Sequence, residues 1–197
     1  MEVRCQGNPV AARTFIVANH LSWLDIPVLA TATGCAFISK AEVRNQPFLR
    51  WLADQNQTLY VDRSQRSAVH EQAVRVRDAL LRGQPLALFP EGTVGHGGRL
   101  LPFKPSLLAA VAPPPENVTI RPVAIDYGHF ARAIGWAPGE AGVSNALRIL
   151  GRKGRIPVVV RFLDELAPTE DRKALARAAH DAIALALAPS GIVPARV

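Results

Sequence analysis

Cysteine is scarce: Cys5 and Cys35 are the two in a chain of 197 residues. Two cysteines exclude a disulfide framework, and neither lies beside a histidine, which argues against a thiol nucleophile. Each is expected as a space-filling thiol in a reducing compartment. No histidine and cysteine cluster has the spacing of metal ligands. The roughly 18–20 consecutive apolar residues of a membrane span are missing, and the longest candidate, 26–38, contains Gly34 and several threonines. The first seven residues hold Glu2 and Arg4 and no apolar core, so no secretory signal is visible. Acidic residues number 16 against 23 Lys and Arg, a net charge of +7. The basic residues are mostly arginine and are scattered. Without a helix-turn-helix, zinc or RNA-binding signature, no nucleic-acid partner is expected. The anionic partners that remain are a membrane surface, a lipid phosphate or the phosphates of coenzyme A.

What the chain does have is alternation. Strands are expected near 1–6, 13–18, 35–39, 57–61, 85–89, 118–126 and 156–163, and helices near 22–33, 47–54, 65–82, 104–112 and 169–188. Helix 65–82 carries Val69, Ala73, Val76 and Leu80 at helical spacing, with Gly83 as its stop and Arg66, Arg75, Arg77 and Arg82 on a solvated face. Helix 169–188 opens on acids after Pro168 and offers Leu175, Ala179, Ile183 and Ala186 to a core. The tail 189–197 is expected to fray. No linker or repeat divides residues 1–197, which are expected to form a single α/β domain, a sandwich with a mostly parallel or mixed sheet flanked by helices.

Chemistry concentrates where strands end. After the apolar run Thr14–Ala18 comes Asn19-His20-Leu21-Ser22-Trp23-Leu24-Asp25. On one continuous helix, five residues turn through roughly 500°, leaving the His20 and Asp25 side chains about 140° apart. They meet only if His20 sits on the turn and Asp25 in the first turn of a helix. Ser22 and Asp25 also fit a capping box, so Asp25 reads either as a cap or as the carboxylate that orients a general base. A second strand, near 85–89, ends after Leu86-Ala87-Leu88-Phe89 in Pro90-Glu91-Gly92-Thr93, a turn built on Pro90 and Gly92. A third, Thr58–Val61, ends in Asp62-Arg63, and a fourth is Arg121-Pro122-Val123-Ala124-Ile125. Two further segments stay open. Residues 44–51, with Phe48 and Trp51 beside arginines, fit an interfacial helix or one packed on the core. Residues 128–142, with His129, Trp136 and Glu140, fit a tunnel lining or a surface loop.

In this order and at these separations the motifs resemble the glycerolipid acyltransferase family, whose best-known members are lysophosphatidic acid acyltransferases. The resemblance runs from about Val3 to about Leu166 and rests on N-H-x-x-x-x-D, a basic and apolar block from Lys40 to Arg63, F-P-E-G-T and the Arg121–Ile125 strand. It implies transfer of an acyl group from acyl-CoA or acyl carrier protein to the free hydroxyl of lysophosphatidic acid. His20 and Asp25 would be catalytic, and Asn19, Ser22, Lys40, Arg63, Glu91, Gly92, Thr93 and Lys104 would bind substrate. No metal or cofactor is implied beyond the thioester co-substrate. One departure matters: relatives often carry an arginine just after F-P-E-G-T, whereas here Val94-Gly95-His96-Gly97-Gly98 follows and the next base is Arg99. A lyso-ornithine lipid, whose acceptor hydroxyl lies on an acyl chain, is therefore an alternative acceptor. A thioesterase and a catalytically silent lipid-binding protein are the rivals. Many relatives carry an N-terminal anchor. The expected location is the cytoplasmic membrane face, peripheral or anchored by a segment absent from this chain.

Overall fold

The computed structural model describes residues 1–45, 47–55, 58–61, 68–137 and 139–195. Strands and helices alternate along them: β1 (Glu2–Gln6), β2 (Thr14–Ala18), α1 (Asp25–Thr33), β3 (Ala36–Lys40), α2 (Pro47–Gln55), β4 (Leu59–Val61), α3 (Ala68–Leu81), β5 (Leu86–Leu88), β6 (Arg99–Leu100), β7 (Thr119–Asp126), α4 (Ala131–Ile134), α5 (Gly142–Leu150), β8 (Pro157–Phe162), α6 (Arg172–Leu187) and β9 (Val193–Pro194).

Seven strands form one sheet in the order β1-β8-β7-β2-β5-β3-β4. β7, β2, β5, β3 and β4 run parallel, whereas β8 lies antiparallel to β7 and carries β1 parallel beside it. This is the α/β sandwich that the alternation predicts, with every strand expected for it in place. β2 and β5 are buried at every position. Burial on both faces is why they read as unbroken apolar runs rather than alternating ones. Cys35 is buried too, and burial pushes its thiol up to about 11.

The differences from expectation are local. The helix expected at 104–112 is a 3₁₀ turn, Pro105–Val111, and α1 starts at Asp25 rather than Ser22. The tail does not fray before Ala195: β9 lies parallel to β6, and the Ala195 N–H donates to the Leu100 carbonyl (2.8 Å). α5 was not foreseen, because nine residues are too short a window to establish a helical period. No helix among the described residues is long and apolar enough to cross a membrane.

The topology makes one edge special. β7, β2 and β5 are adjacent and parallel, so their carboxyl ends meet. The chain leaves them as Tyr127, as Asn19-His20, and as Phe89 to Thr93 respectively. Asn19 staples two of these strands: its side chain donates to the Ile125 carbonyl (3.0 Å) and accepts the Ile125 N–H (2.8 Å). It is buried, so the substrate-binding role expected for Asn19 gives way to a structural one. Removing it leaves buried backbone groups short of a partner, a cost of about 1–3 kcal/mol. Asn19→Ala is expected to lower the unfolding free energy by about 2 kcal/mol in urea denaturation. A change below about 0.5 kcal/mol, the level of an ordinary surface substitution, would contradict the staple.

Candidate active site

His20 occupies the turn after β2, and Asp25 is the first residue of α1. The turn at Ser22–Leu24 folds the five-residue separation back on itself, placing His20 Nδ1 2.9 Å from Asp25 Oδ2. The same oxygen accepts the backbone N–H groups of Leu21 (2.6 Å) and Ser22 (2.8 Å), and Oδ1 accepts the Tyr127 hydroxyl (2.8 Å). Asp25 is fully buried, and four donors converge on its carboxylate. The two readings of Asp25, cap and orienting carboxylate, are one arrangement. The capping box itself is only half formed: Ser22 Oγ faces the Leu24 N–H at 3.4 Å, not that of Asp25. Ser22, expected to bind substrate, is buried and is not part of the cavity wall. Tyr127 was not foreseen, since a tyrosine at the end of a strand carries no signal by itself. Burial, and then the charge of Asp25, push its phenol well above the ordinary range, so it remains a donor.

His20 is held on every side but one. Its N–H donates to Glu91 Oε1 (2.6 Å), its carbonyl accepts the Gly95 N–H (2.8 Å), and its ring stacks on Phe89 with centroids 4.1 Å apart and planes 12° apart. A carboxylate can only accept, so in the neutral ring the proton lies on Nδ1, toward Asp25, and the lone pair on Nε2. His20 lines the cavity described below, and with Nδ1 turned inward it is Nε2 that faces the open space.

Glu91 is not placed to orient a substrate, contrary to expectation. It is buried, and its second oxygen accepts the Leu101 N–H (3.0 Å), so it ties the histidine turn to the segment after β6. Burial outweighs these two backbone donors and pushes its carboxyl up to about 8. Gly92 closes the turn at φ +70°, a left-handed conformation that suits glycine. Thr93 is exposed at the cavity rim, and Lys104 Nζ lies 3.2 Å from where a Cβ on Gly92 would stand. Lys40 ends β3, paired with Val61. Arg63 lies outside the described residues. The glycines that replace the expected arginine have a packing reason: a Cβ on Gly97 would stand 2.5 Å from the Ala131 carbonyl oxygen.

The cavity has a volume of about 670 Å³ and walls that include Trp23, Phe37, Ile38, Phe89 and Trp136. Small-molecule pockets span roughly 300–1,000 Å³, mostly apolar with a few polar groups. Its far wall is fastened by a polar network. Trp23 Nε1 donates to Asn145 Oδ1 (3.1 Å), Asn145 Nδ2 donates to Glu140 Oε2 (2.9 Å), and Arg148 grips both oxygens of Glu140 (2.7 and 2.8 Å). Arg148, then Asn145, hold the Glu140 carboxyl down to about 2. Trp136 Nε1 donates to the Glu140 carbonyl (2.7 Å). Thus Trp136, Glu140, Ala141 and Gly142 line the cavity, and the described residues of 128–142 are no plain surface loop. Asn145 and Arg148 were missed, although a fully buried Asn in an apolar helix is the kind of residue that marks a network.

Three comparisons bear on this geometry. The family model described as Acyltransferase matches residues 2–126. The chain is 38% identical over 191 residues to the lyso-ornithine lipid O-acyltransferase of Pseudomonas aeruginosa, covering 94% of this chain and 72% of that protein. It is 30% identical over 165 residues to the 1-acyl-sn-glycerol-3-phosphate acyltransferase of Neisseria gonorrhoeae, covering 81% and 64%. The chain spans about two thirds of the length of the curated relatives it matches. The crystal structure of the 1-acyl-sn-glycerophosphate acyltransferase of Thermotoga maritima is similar in fold, with a TM-score of 0.64 at 23% identity over 95% of this chain and 71% of that one.

Glu91 gives the site a pH signature. Its carboxyl titrates near 8 in the folded protein and near 4.5 when unfolded. Between those values unfolding releases a proton, so stability falls as pH rises from about 5 through 8. Thermal melting is expected to show this decline in the wild type, and Glu91→Gln is expected to flatten it. An equal slope in both would place the titration elsewhere.

Proposed function

The chain belongs to the acyltransferase family, and we propose that it moves a fatty acyl group from acyl-CoA or acyl carrier protein to the free hydroxyl of a lysolipid. The observation that carries this reading is the buried Asp25 carboxylate holding His20 so that Nε2 faces an apolar cavity. His20 Nε2 takes the hydroxyl proton as the acceptor oxygen attacks the thioester carbonyl. Asp25 stabilises the imidazolium that forms. Collapse of the tetrahedral intermediate breaks the carbon–sulfur bond, and the thiolate leaves with the proton from Nε2. No enzyme nucleophile is needed, because the acceptor alcohol occupies the place a serine holds in a hydrolase triad.

The acceptor is the finer question. Identity over long alignments favours a lyso-ornithine lipid: relatives of that name match at 33–38% over 176–191 residues, against 30% over 165 and 35% over 92 residues for two glycerophosphate enzymes. The loop after Thr93 lacks the expected arginine, and the cations that lie against its glycines are Lys104 beside Gly92 and Arg132 beside Gly98. Lysophosphatidic acid is the second reading. For it, Arg63 is the phosphate ligand we propose, a planar fork suited to bidentate contact. The acceptor is a membrane lipid in either case, so we place the chain at an anionic membrane surface, peripheral or anchored by a segment outside these residues.

Thiol release from a long-chain acyl-CoA tests the reading, with lyso-ornithine lipid, lysophosphatidic acid, lysophosphatidylglycerol, glycerol 3-phosphate or no acceptor. Turnover is expected with lyso-ornithine lipid above all. Release without acceptor would make the protein a thioesterase, and silence with every acyl-CoA and acyl-carrier-protein pair would favour a lipid-binding role. His20→Ala is expected to abolish transfer, and Asp25→Asn to lower kcat by about 10²–10⁴-fold, with the fold intact by circular dichroism. Substantial turnover in His20→Ala would remove His20 as the base.

A further inference from the structure

α5 turns one face inward and another out. Asn145, Ala146 and Ile149 are buried, and the network through Asn145, Glu140 and Arg148 fastens the helix over the cavity. Val143, Leu147 and Leu150 point the other way and are 60%, 67% and 68% exposed. At 100° per residue these three fall within about 60° of one another, a single apolar stripe. Scattered exposed leucines are ordinary, but an ordered stripe of three is not. Trp51 on neighbouring α2 is exposed as well, at 59%. Basic residues follow the stripe at once: Arg152, Lys153 and Arg155 are all exposed in the four residues 152–155. Residues at the start of α5 (Gly142) and within α2 (Ala53) line the cavity itself.

We propose that the outer face of α5, with Trp51 of α2 and the basic turn at 152–155, docks on an anionic bilayer and sets the cavity against the lipid interface. The inference rests on the reading of the acceptor as a membrane lipid. An apolar stripe bordered by cations is the pattern of a segment that lies in the headgroup boundary, apolar side chains inserted and cations on lipid phosphates. A protein partner would leave the adjoining cations and cavity unexplained. A lipid surface uses stripe, charge and cavity together. Because α5 is clamped through its buried face, the stripe is presented without folding on contact, so little ordering entropy opposes docking.

Co-sedimentation with vesicles of phosphatidylcholine and phosphatidylglycerol tests this. Val143→Ser/Leu147→Ser/Leu150→Ser is expected to lower the partition coefficient about tenfold or more, because each side chain withdraws several inserted methylene groups. Lys153→Gln/Arg155→Gln is expected to weaken binding to phosphatidylglycerol vesicles and leave little salt dependence. Leu185→Ser, which removes an exposed leucine on α6 (78%), is expected to change binding less than about twofold, as for an isolated surface residue. Acyl transfer between short-chain soluble substrates is expected to match the wild type in all three, whereas transfer on vesicles falls in the first two. Equal vesicle binding by the wild type and the α5 triple variant overturns the proposal. So does a wild-type dimer that the triple variant makes monomeric without loss of vesicle binding. Wild type that binds vesicles through α5 but turns over no substrate would sink the acyltransferase reading and leave the docking face standing.

Discussion

The site depends on one buried carboxylate. Asp25 gathers His20 Nδ1, two backbone N–H groups of the turn and the Tyr127 hydroxyl on its two oxygens. An ionised group with no exposure is tolerable only when such donors replace its water. The arrangement is reciprocal: the carboxylate satisfies the N–H groups of the turn, and the turn supplies donors in place of the water that burial removes. The imidazole is one donor among four, which is why its ring plane and proton position are fixed before any substrate arrives. Such pre-ordering removes reorganisation from the moment of proton transfer.

Around that centre the sheet supplies convergence. Three parallel neighbours, β7, β2 and β5, bring Tyr127, His20 and Glu91 to one edge from positions far apart in the chain. Glu91 grips the histidine's own N–H and Asn19 locks β2 to β7, so two polar residues beside the catalytic pair serve the frame. Farther out, the Trp23–Asn145–Glu140–Arg148 chain ties the histidine turn to α5. Rigidity at the base and a shaped apolar wall opposite it are joined by hydrogen bonds, not by packing alone. A change at Asn145 or Arg148, on the network side of α5, therefore bears on the cavity wall.

The sheet and its motifs were legible because they rest on local signals: apolar runs bounded by turns, a Ser-x-x-Asp start and a Pro-Glu-Gly turn. His20 and Asp25 could be paired from geometry, since five residues cannot bring two side chains together on one helix. The roles of Asn19, Ser22 and Glu91 could not be read, because a polar residue at a strand end looks the same whether it faces substrate or backbone. Burial decides between those, and burial is a property of the whole sheet. Tyr127 and Asn145 were invisible for a related reason: Asp25 and Trp23, which they bond, lie more than a hundred residues away in sequence. The pairing of β6 with β9 was lost because two-residue strands carry no periodicity.

The central claim is that Asp25 holds the His20 imidazole with its proton on Nδ1 and a lone pair on Nε2 toward the cavity. Nitrogen-15 NMR of the His20 ring in the substrate-free protein, at a pH where the ring is neutral, measures this directly. We predict a protonated, pyrrole-like Nδ1 and a pyridine-like Nε2, with the preference lost in Asp25→Asn. A ring carrying its proton on Nε2, or one whose tautomer ignores that substitution, would contradict the assignment of His20 as the base that Asp25 prepares.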